Sequence, residues 1–348
     1  MSAKTLLTGG NGFIAVNIID VLLQRGYDVT TTVRSENKTA YLRDKFSEAV
    51  SSGQLKFAII EDITLPGAYD KVLTANSFDS VIHTSSPVVF EANDVKKDIL
   101  LPAIQGTTEL LKAVKAHAPT VKRVVITSSI VAIVDFSKGN RPGYVYSEKD
   151  WNPITFEQSE LNPRFGYAGS KKYAEKAAWD FVEAERPGFD LVTICPPMVY
   201  GPIAQEVKSM ASLNLSSKKF YSIFNGEEKE LTNDLFWQWV DVRDVAEAHV
   251  AAVEKPEAGG QRFFVTAGEF NIAQVVEYIW KHYPDRAAAK GIPKDTSNVG
   301  FPSGGYYTAD NSASKRVLGL KYRSFETMLK DQFDQFVVLE KQLGGGGA

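Results

Sequence analysis

Among 348 residues there is a single cysteine, Cys195, which excludes an internal disulfide and points to a reducing, cytoplasmic setting. The four histidines include no pair at a metal-ligand spacing, so no metal site is expected. No apolar run approaches the ~18 residues of a membrane span, and Leu6-Leu7 belongs to a run far too short for a secretory signal. Charge of one sign is not in excess either. The 39 Lys and Arg against 42 Asp and Glu leave a formal charge of −3, which argues against a nucleic-acid surface or a polybasic membrane anchor. Internal repeats are lacking. What is present is an ordinary globular composition, 44% apolar and 23% charged, in a chain long enough for a large core and a second, smaller lobe.

The most informative stretch lies at the start. The short apolar run Lys4-Thr5-Leu6-Leu7-Thr8 is followed by Gly9-Gly10-Asn11-Gly12-Phe13-Ile14-Ala15 and a helix-forming stretch from Val16 to Gln24. Strand, tight turn and helix N-terminus in that order seat a pyrophosphate on free backbone N–H groups. Gly10-x-Gly12-x-x-Ala15 fits the dinucleotide fingerprint, with Ala15 small enough to let helix pack on strand. Thr8, Gly9, Asn11, Gly12, Phe13 and Ile14 are the expected contacts. Cofactor choice is written at the end of the second strand, where an NAD site places a carboxylate about 20 residues after the glycines. Here the strand ends Val33-Arg34-Ser35, with Lys38 close behind. Arg34 can grip a 2′-phosphate in fork geometry and Lys38 adds charge, so NADP(H) is expected, although Glu36 stands nearby.

Short β-branched runs alternate with amphipathic helical stretches over the first two-thirds of the chain. Strands are predicted at Asp28–Val33, Leu55–Ile60, Ser80–His83, Arg123–Thr127 and Leu191–Cys195, with helical patterns at Ile99–Ala116 and Gly169–Arg186 between them. This alternation predicts an α/β fold, a Rossmann-type doubly wound parallel sheet, whose ligands bind beyond the carboxyl ends of the strands. The pattern loses its regularity after Gly201-Pro202. A smaller, discontinuous substrate-binding lobe is therefore predicted from residues 201–238 and 259–342. Residues 1–200 and 239–258 form the dinucleotide-binding domain, and 343–348 a flexible tail.

Chemistry is expected at two strand ends. Tyr167-Ala168-Gly169-Ser170-Lys171 places a phenol and an ammonium one helical turn apart, on one face. A nearby cation pulls a tyrosine pKa down, and a tyrosine so tuned can protonate a developing alkoxide near neutral pH. The same spacing occurs at Tyr41 and Lys45, but that pair follows the second strand on the adenosine side, so Tyr167 and Lys171 are taken as catalytic. Thr127-Ser128-Ser129 ends another strand; Ser129 would donate to the substrate oxygen beside Tyr167, with Ser128 as the alternate. Asp62 and Ile63 would bracket the adenine, and Thr84, Ser85 and Ser86 would pass beneath the pyrophosphate and ribose. His83 reads as a near-core histidine with no catalytic role. The aromatics from Phe236 to Trp239 either floor a substrate pocket or pack between the lobes.

Taken together, Thr8-Gly9-x-x-Gly12-x-x-Ala15, Thr127-Ser128-Ser129 and Tyr167-x-x-x-Lys171 resemble the extended short-chain dehydrogenase/reductase superfamily. Within it the chain looks like the fungal NADPH-dependent methylglyoxal, aldehyde and ketone reductases and is similar to plant dihydroflavonol reductases. Further matches are Ser170-Lys171-Lys172-Tyr173-Ala174-Glu175-Lys176-Ala177-Ala178-Trp179 and Trp239-Val240-Asp241-Val242-Arg243-Asp244. The resemblance implies Tyr167 as proton donor, Lys171 on the nicotinamide ribose and Ser129 orienting the carbonyl. It also implies Pro196 and Val199 against the nicotinamide and Ser216 on the diphosphate. Departures from the family pattern are Ser85, where alanine is common, and the doubled proline at Pro197.

The expected activity is NADPH-dependent reduction of aldehydes and ketones, among them α-keto aldehydes, diketones, keto esters and bulky aryl ketones. The expected pocket is bordered by Phe90, Ile130, Val131, Met198, Phe236 and Trp237. The partner is thus a small-molecule carbonyl substrate, with no nucleic acid and no membrane, and the chain is expected to be a monomer or homodimer. A nucleotide-sugar epimerase or dehydratase would also need the Tyr-Lys pair, but Arg34 and Ile130 speak against it. A non-catalytic NADP-sensing regulator would typically lack that pair.

Overall fold

The computed structural model describes residues 2–86 and 92–344. Phe90 therefore lies outside the described residues, as do the last four residues of the expected tail. Twelve strands form among the described residues: β1 Lys4–Thr8, β2 Asp28–Val33, β3 Leu55–Ile59, β4 Ser80–His83, β5 Arg123–Thr127, β6 Val145–Tyr146, β7 Asp190–Cys195, β8 Met198–Tyr200, β9 Gln238–Asp241, β10 Arg262–Phe264, β11 Gly268–Glu269 and β12 Thr308–Ala309. Seven of them make one sheet in the order β10-β7-β5-β4-β1-β2-β3, with every pair parallel. The order reverses between β1 and β4, which leaves a crevice above their carboxyl ends.

The central strands are buried along almost their whole length because both faces of the sheet are covered. Side chains alternate between faces. Leu7, Ile82, Val125 and Val192 enter one core with helices Phe13–Gln24 and Val242–Glu254. Their neighbours Leu6, Val81, Val124 and Leu191 enter the other, with helices Leu101–His117 and Pro163–Glu185. The last of these helices begins at Pro163 rather than at the predicted Gly169. Pro163 occupies its first position and the Asn162 side chain caps it by accepting from Phe165 N–H.

A second buried cluster is aromatic instead. Helices Leu215–Phe224, Ile272–His282 and Phe325–Gly344 surround Tyr200, Phe220, Phe224, Phe270 and Phe333. Tyr200 stacks on Phe220 at 3.9 Å between centroids, and Phe224 on Phe333 at 4.8 Å. Long-range hydrogen bonds latch the last helix onto the segment after β8. Gln332 accepts from Gly201 N–H at 3.1 Å, while Gln335 accepts from Ile203 N–H at 2.6 Å and donates to its carbonyl at 2.8 Å. The predicted lobe boundary at 259 needs correction. β10 is the edge strand of the large sheet, paired with Thr193–Cys195 of β7, and Ala313, Leu318 and Leu320 pack into the first sheet core. β10 adds there because the edge of β7 offers open backbone groups that a further strand satisfies, while Ala313, Leu318 and Leu320 bury apolar side chains against the same sheet.

Candidate active site

A cleft of about 500 Å³ opens at the switch point, lined by Gly9, Asn11, Gly12, Phe13, Ile14, Arg34, Lys38 and Ile63, with Thr84, Ser85 and Ser86 from the β4 turn. The glycines are required by space and backbone. Gly9 has φ +74°, and a Cβ at Gly10 would stand 2.0 Å from Thr31 Oγ1. The chain thus turns tightly enough to expose the N-terminus of helix Phe13–Gln24, the cradle a pyrophosphate needs. Arg34 and Lys38 are exposed at the cleft, and neither is ion-paired among the described residues. Glu36 turns away, accepting from Arg43 at 3.1 Å and from the Thr39 hydroxyl at 3.3 Å. The residues present therefore fit a dinucleotide with a 2′-phosphate.

Thr8 and Asp62, also expected to touch the cofactor, do not line the cleft. Thr8 is buried and its hydroxyl holds the β4 turn, accepting from Thr84 N–H at 3.2 Å and Ser85 N–H at 3.1 Å. Asp62 accepts from the Thr64 hydroxyl and N–H at 2.7 and 2.8 Å, which keep its carboxyl below the usual range. Ser216 likewise spends its hydroxyl on the Val199 carbonyl, at 2.5 Å, and so ties the start of its helix to β8. Pro196 accepts from Ile130 N–H at 2.9 Å and joins the end of β7 to the serine turn.

A second cavity, of about 720 Å³, adjoins the first: Thr127 lines one and Ser129, two residues on, lines the other. Its walls are mainly apolar and include Ile130, Val131, Met198, Phe236 and Tyr167. Trp237 is not among them; its ring packs on Phe301 and Tyr306 at 5.7 and 5.5 Å. Sequence reasoning missed Phe136, Arg164, Phe165, Leu215 and Leu235, which also line this cavity. Leu215 and Leu235 are 64% and 61% exposed, an apolar rim whose spacing in the chain carries no periodic signal.

Ser129 hydrogen-bonds Tyr167, and both face this cavity. Ser128, the alternate, points inward and donates to Glu175 at 2.5 Å, so the choice between the serines falls to Ser129. The expected depression of the Tyr167 phenol is not what the site shows. Burial pushes it above its ordinary value, and the Ser129 hydrogen bond only partly opposes that. Burial also lowers the Lys171 amine to about 8, against the opposing influence of Cys195 and Glu175. Both side chains are half-buried, and desolvation sets the direction of both shifts, which the motif alone cannot reveal. Cys195 is itself inert, its thiol raised to about 12 by burial. The second Tyr-x-x-x-Lys is structural: Tyr41 donates to the Ala204 carbonyl at 3.0 Å, and Lys45 lies over the Phe46 ring at 5.7 Å.

Beneath the pair, Glu175 is a buried acceptor for several groups. It takes Arg262 Nε at 2.7 Å and the Thr193 hydroxyl at 2.7 Å in addition to Ser128. Arg262 lies 3.7 Å over the Trp151 ring. No group of three or more His, Cys, Asp or Glu suited to a metal occurs among the described residues. No helix among them is long and apolar enough to cross a membrane.

Residues 5–273 match the model of the NAD dependent epimerase/dehydratase family. The chain is 42% identical over 337 residues to a ketoreductase of Aspergillus niger, covering 95% of this chain and 96% of that one. It is 32% identical over 335 residues to aldehyde reductase 2 of Sporidiobolus salmonicolor, covering 94% of each. Among solved structures it is similar to the yeast methylglyoxal/isovaleraldehyde reductase complexed with NADPH. The TM-score there is 0.87 at 33% identity, over 97% of this chain and 99% of that one.

Proposed function

From the premise that the chain belongs to the NAD dependent epimerase/dehydratase family, we propose that it is an NADPH-dependent carbonyl reductase acting on aldehydes and ketones. The observation that carries this reading is the hydrogen-bonded Ser129–Tyr167 pair on the wall of an apolar cavity that adjoins the dinucleotide cleft. The cofactor, when bound, supplies the hydride. Arg34 and Lys38 would hold its 2′-phosphate, and the glycine turn its pyrophosphate. Ser129 holds the carbonyl oxygen in place, and Tyr167 gives that oxygen its phenolic proton. A phenol raised by burial stays protonated at neutral pH, which a proton donor in the reducing direction requires. Lys171 keeps a positive charge beneath the pair below pH about 8. The apolar walls favour carbonyls with hydrocarbon or aryl substituents, including diketones and keto esters.

The test follows NADPH absorbance with methylglyoxal, diacetyl, a branched aldehyde and an aryl keto ester, in the wild type and in Tyr167→Phe. Turnover by the wild type and its loss in the variant, with NADPH binding retained, is the expected result. NADPH binding without reduction of any of the four would overturn the reading. Activity that survived Tyr167→Phe would move the proton donor elsewhere.

A further inference from the structure

A third cavity of about 20 Å³ lies beside Lys171, room for one water molecule. His83, Thr107, Ser128 and Glu175 share its wall with Lys171. His83 ends β4, and its ring is buried. Thr8 Oγ1 lies 2.8 Å from His83 Nδ1, and the same oxygen already accepts from the N–H groups of Thr84 and Ser85. With its acceptor positions taken, the Thr8 hydroxyl gives its single proton to Nδ1. The neutral ring therefore carries its own proton on Nε2. That Nε2 is buried and meets no hydrogen-bond partner among the described residues. A buried donor of this kind is costly to leave unpaired, and nearly all such groups find a protein or water partner.

We propose that this cavity is a one-water site joining His83 to Lys171. The water accepts from His83 Nε2–H and from the Lys171 ammonium, and it donates to the Thr107 hydroxyl oxygen and the Glu175 carboxylate. The inference rests on the reading of Lys171 as the cation serving Tyr167, and it makes His83 a positioning residue. On its own helix Lys171 stands four residues after Tyr167 and is faced by Glu175, with His83 of β4 and Cys195 of β7 also acting on it and Arg262 of β10 bonded to Glu175. His83 is neutral, held at about 3 by burial and by the Lys171 charge, so it offers a dipole and not a second cation. The water oxygen gives the buried ammonium an acceptor. Loss of that acceptor disfavours the charged lysine, so the pH above which Lys171 is neutral moves down.

Two measurements test this. A high-resolution crystal structure of the NADPH complex should show one density peak within hydrogen-bond reach of both His83 Nε2 and Lys171 Nζ. Ala174 also lines the cavity, and Ala174→Val should fill it. The alkaline limb of kcat/KM should then move down by about one pH unit, with the affinity for NADPH unchanged. The site is refuted by a cavity without the peak, or by a cofactor hydroxyl standing in the water's place. It is equally refuted if Ala174→Val lowers activity evenly at all pH values without moving the limb. Should the wild type reduce no carbonyl, the functional reading fails by itself and the density alone decides the water.

Discussion

The dinucleotide cleft reaches Thr127 and the apolar cavity reaches Ser129, two residues apart at the end of β5, yet they differ in how they are built. The cleft is lined at successive strand ends, with the stretch from Gly9 to Ala15 its largest contribution. Its geometry is local, set by a turn that only glycine permits at Gly9 and Gly10. The cavity is assembled from side chains of five separate segments, around residues 130, 165, 198, 215 and 236. Recognition of a constant cofactor is fixed at the ends of the parallel strands, from the Gly9–Ala15 turn through Arg34, Ile63 and Ser85 to Thr127. Recognition of a carbonyl substrate is distributed, and each segment can change without disturbing the turn.

Substitutions should separate the two regions. The largest effect is expected for Tyr167→Phe, a loss of about 10²–10⁴-fold in kcat with NADPH affinity intact, measured by steady-state kinetics and calorimetric titration. Acid should act next, through the histidines that brace the cleft floor. Burial holds His83 at about 3 and His249 at about 4, so neither takes a proton that the unfolded chain binds below about 6.5. Stability is therefore complete above that pH and is lost as pH falls. By pH 5 the loss is about 2 kcal/mol for each histidine, visible in denaturant melts at pH 7 and pH 5. Arg34→Ala should weaken NADPH binding by about 10–100-fold and leave NADH binding nearly unchanged, by titration with each cofactor. If both cofactors weaken equally, Arg34 serves the fold and not the phosphate. The smallest effect is expected at the cavity rim. Phe136→Ala should lower kcat/KM for an aryl ketone by about 3–10-fold while methylglyoxal and NADPH affinity stay within a factor of about two.

This division also explains what was legible in the sequence. β2, β4 and β5 run as predicted, and the glycine turn, Arg34 and Lys38 lie where the motif places them, because strand period and turn chemistry are local. Helices Leu215–Phe224 and Ile272–His282 lie outside the predicted helical stretches. Their apolar faces meet an aromatic core from distant segments, although the Asn271–Gln274 capping box marks the start of the second. Arg164 and Leu235 join the cavity through tertiary placement alone. The direction of the Tyr167 shift escapes the motif for a related reason: spacing shows that Lys171 is near, while burial, which dominates, becomes visible only in the folded chain.

The glutamine latch between the last helix and Gly201 and Ile203 places a late event in synthesis. Helix Val242–Glu254, β10 and Leu320 complete the core beneath the dinucleotide cleft, and the segment following Met198 waits for Gln332 and Gln335. Neither the cleft nor the cavity beside it is finished until nearly the whole chain has emerged, so cofactor and substrate meet a site that forms late and together.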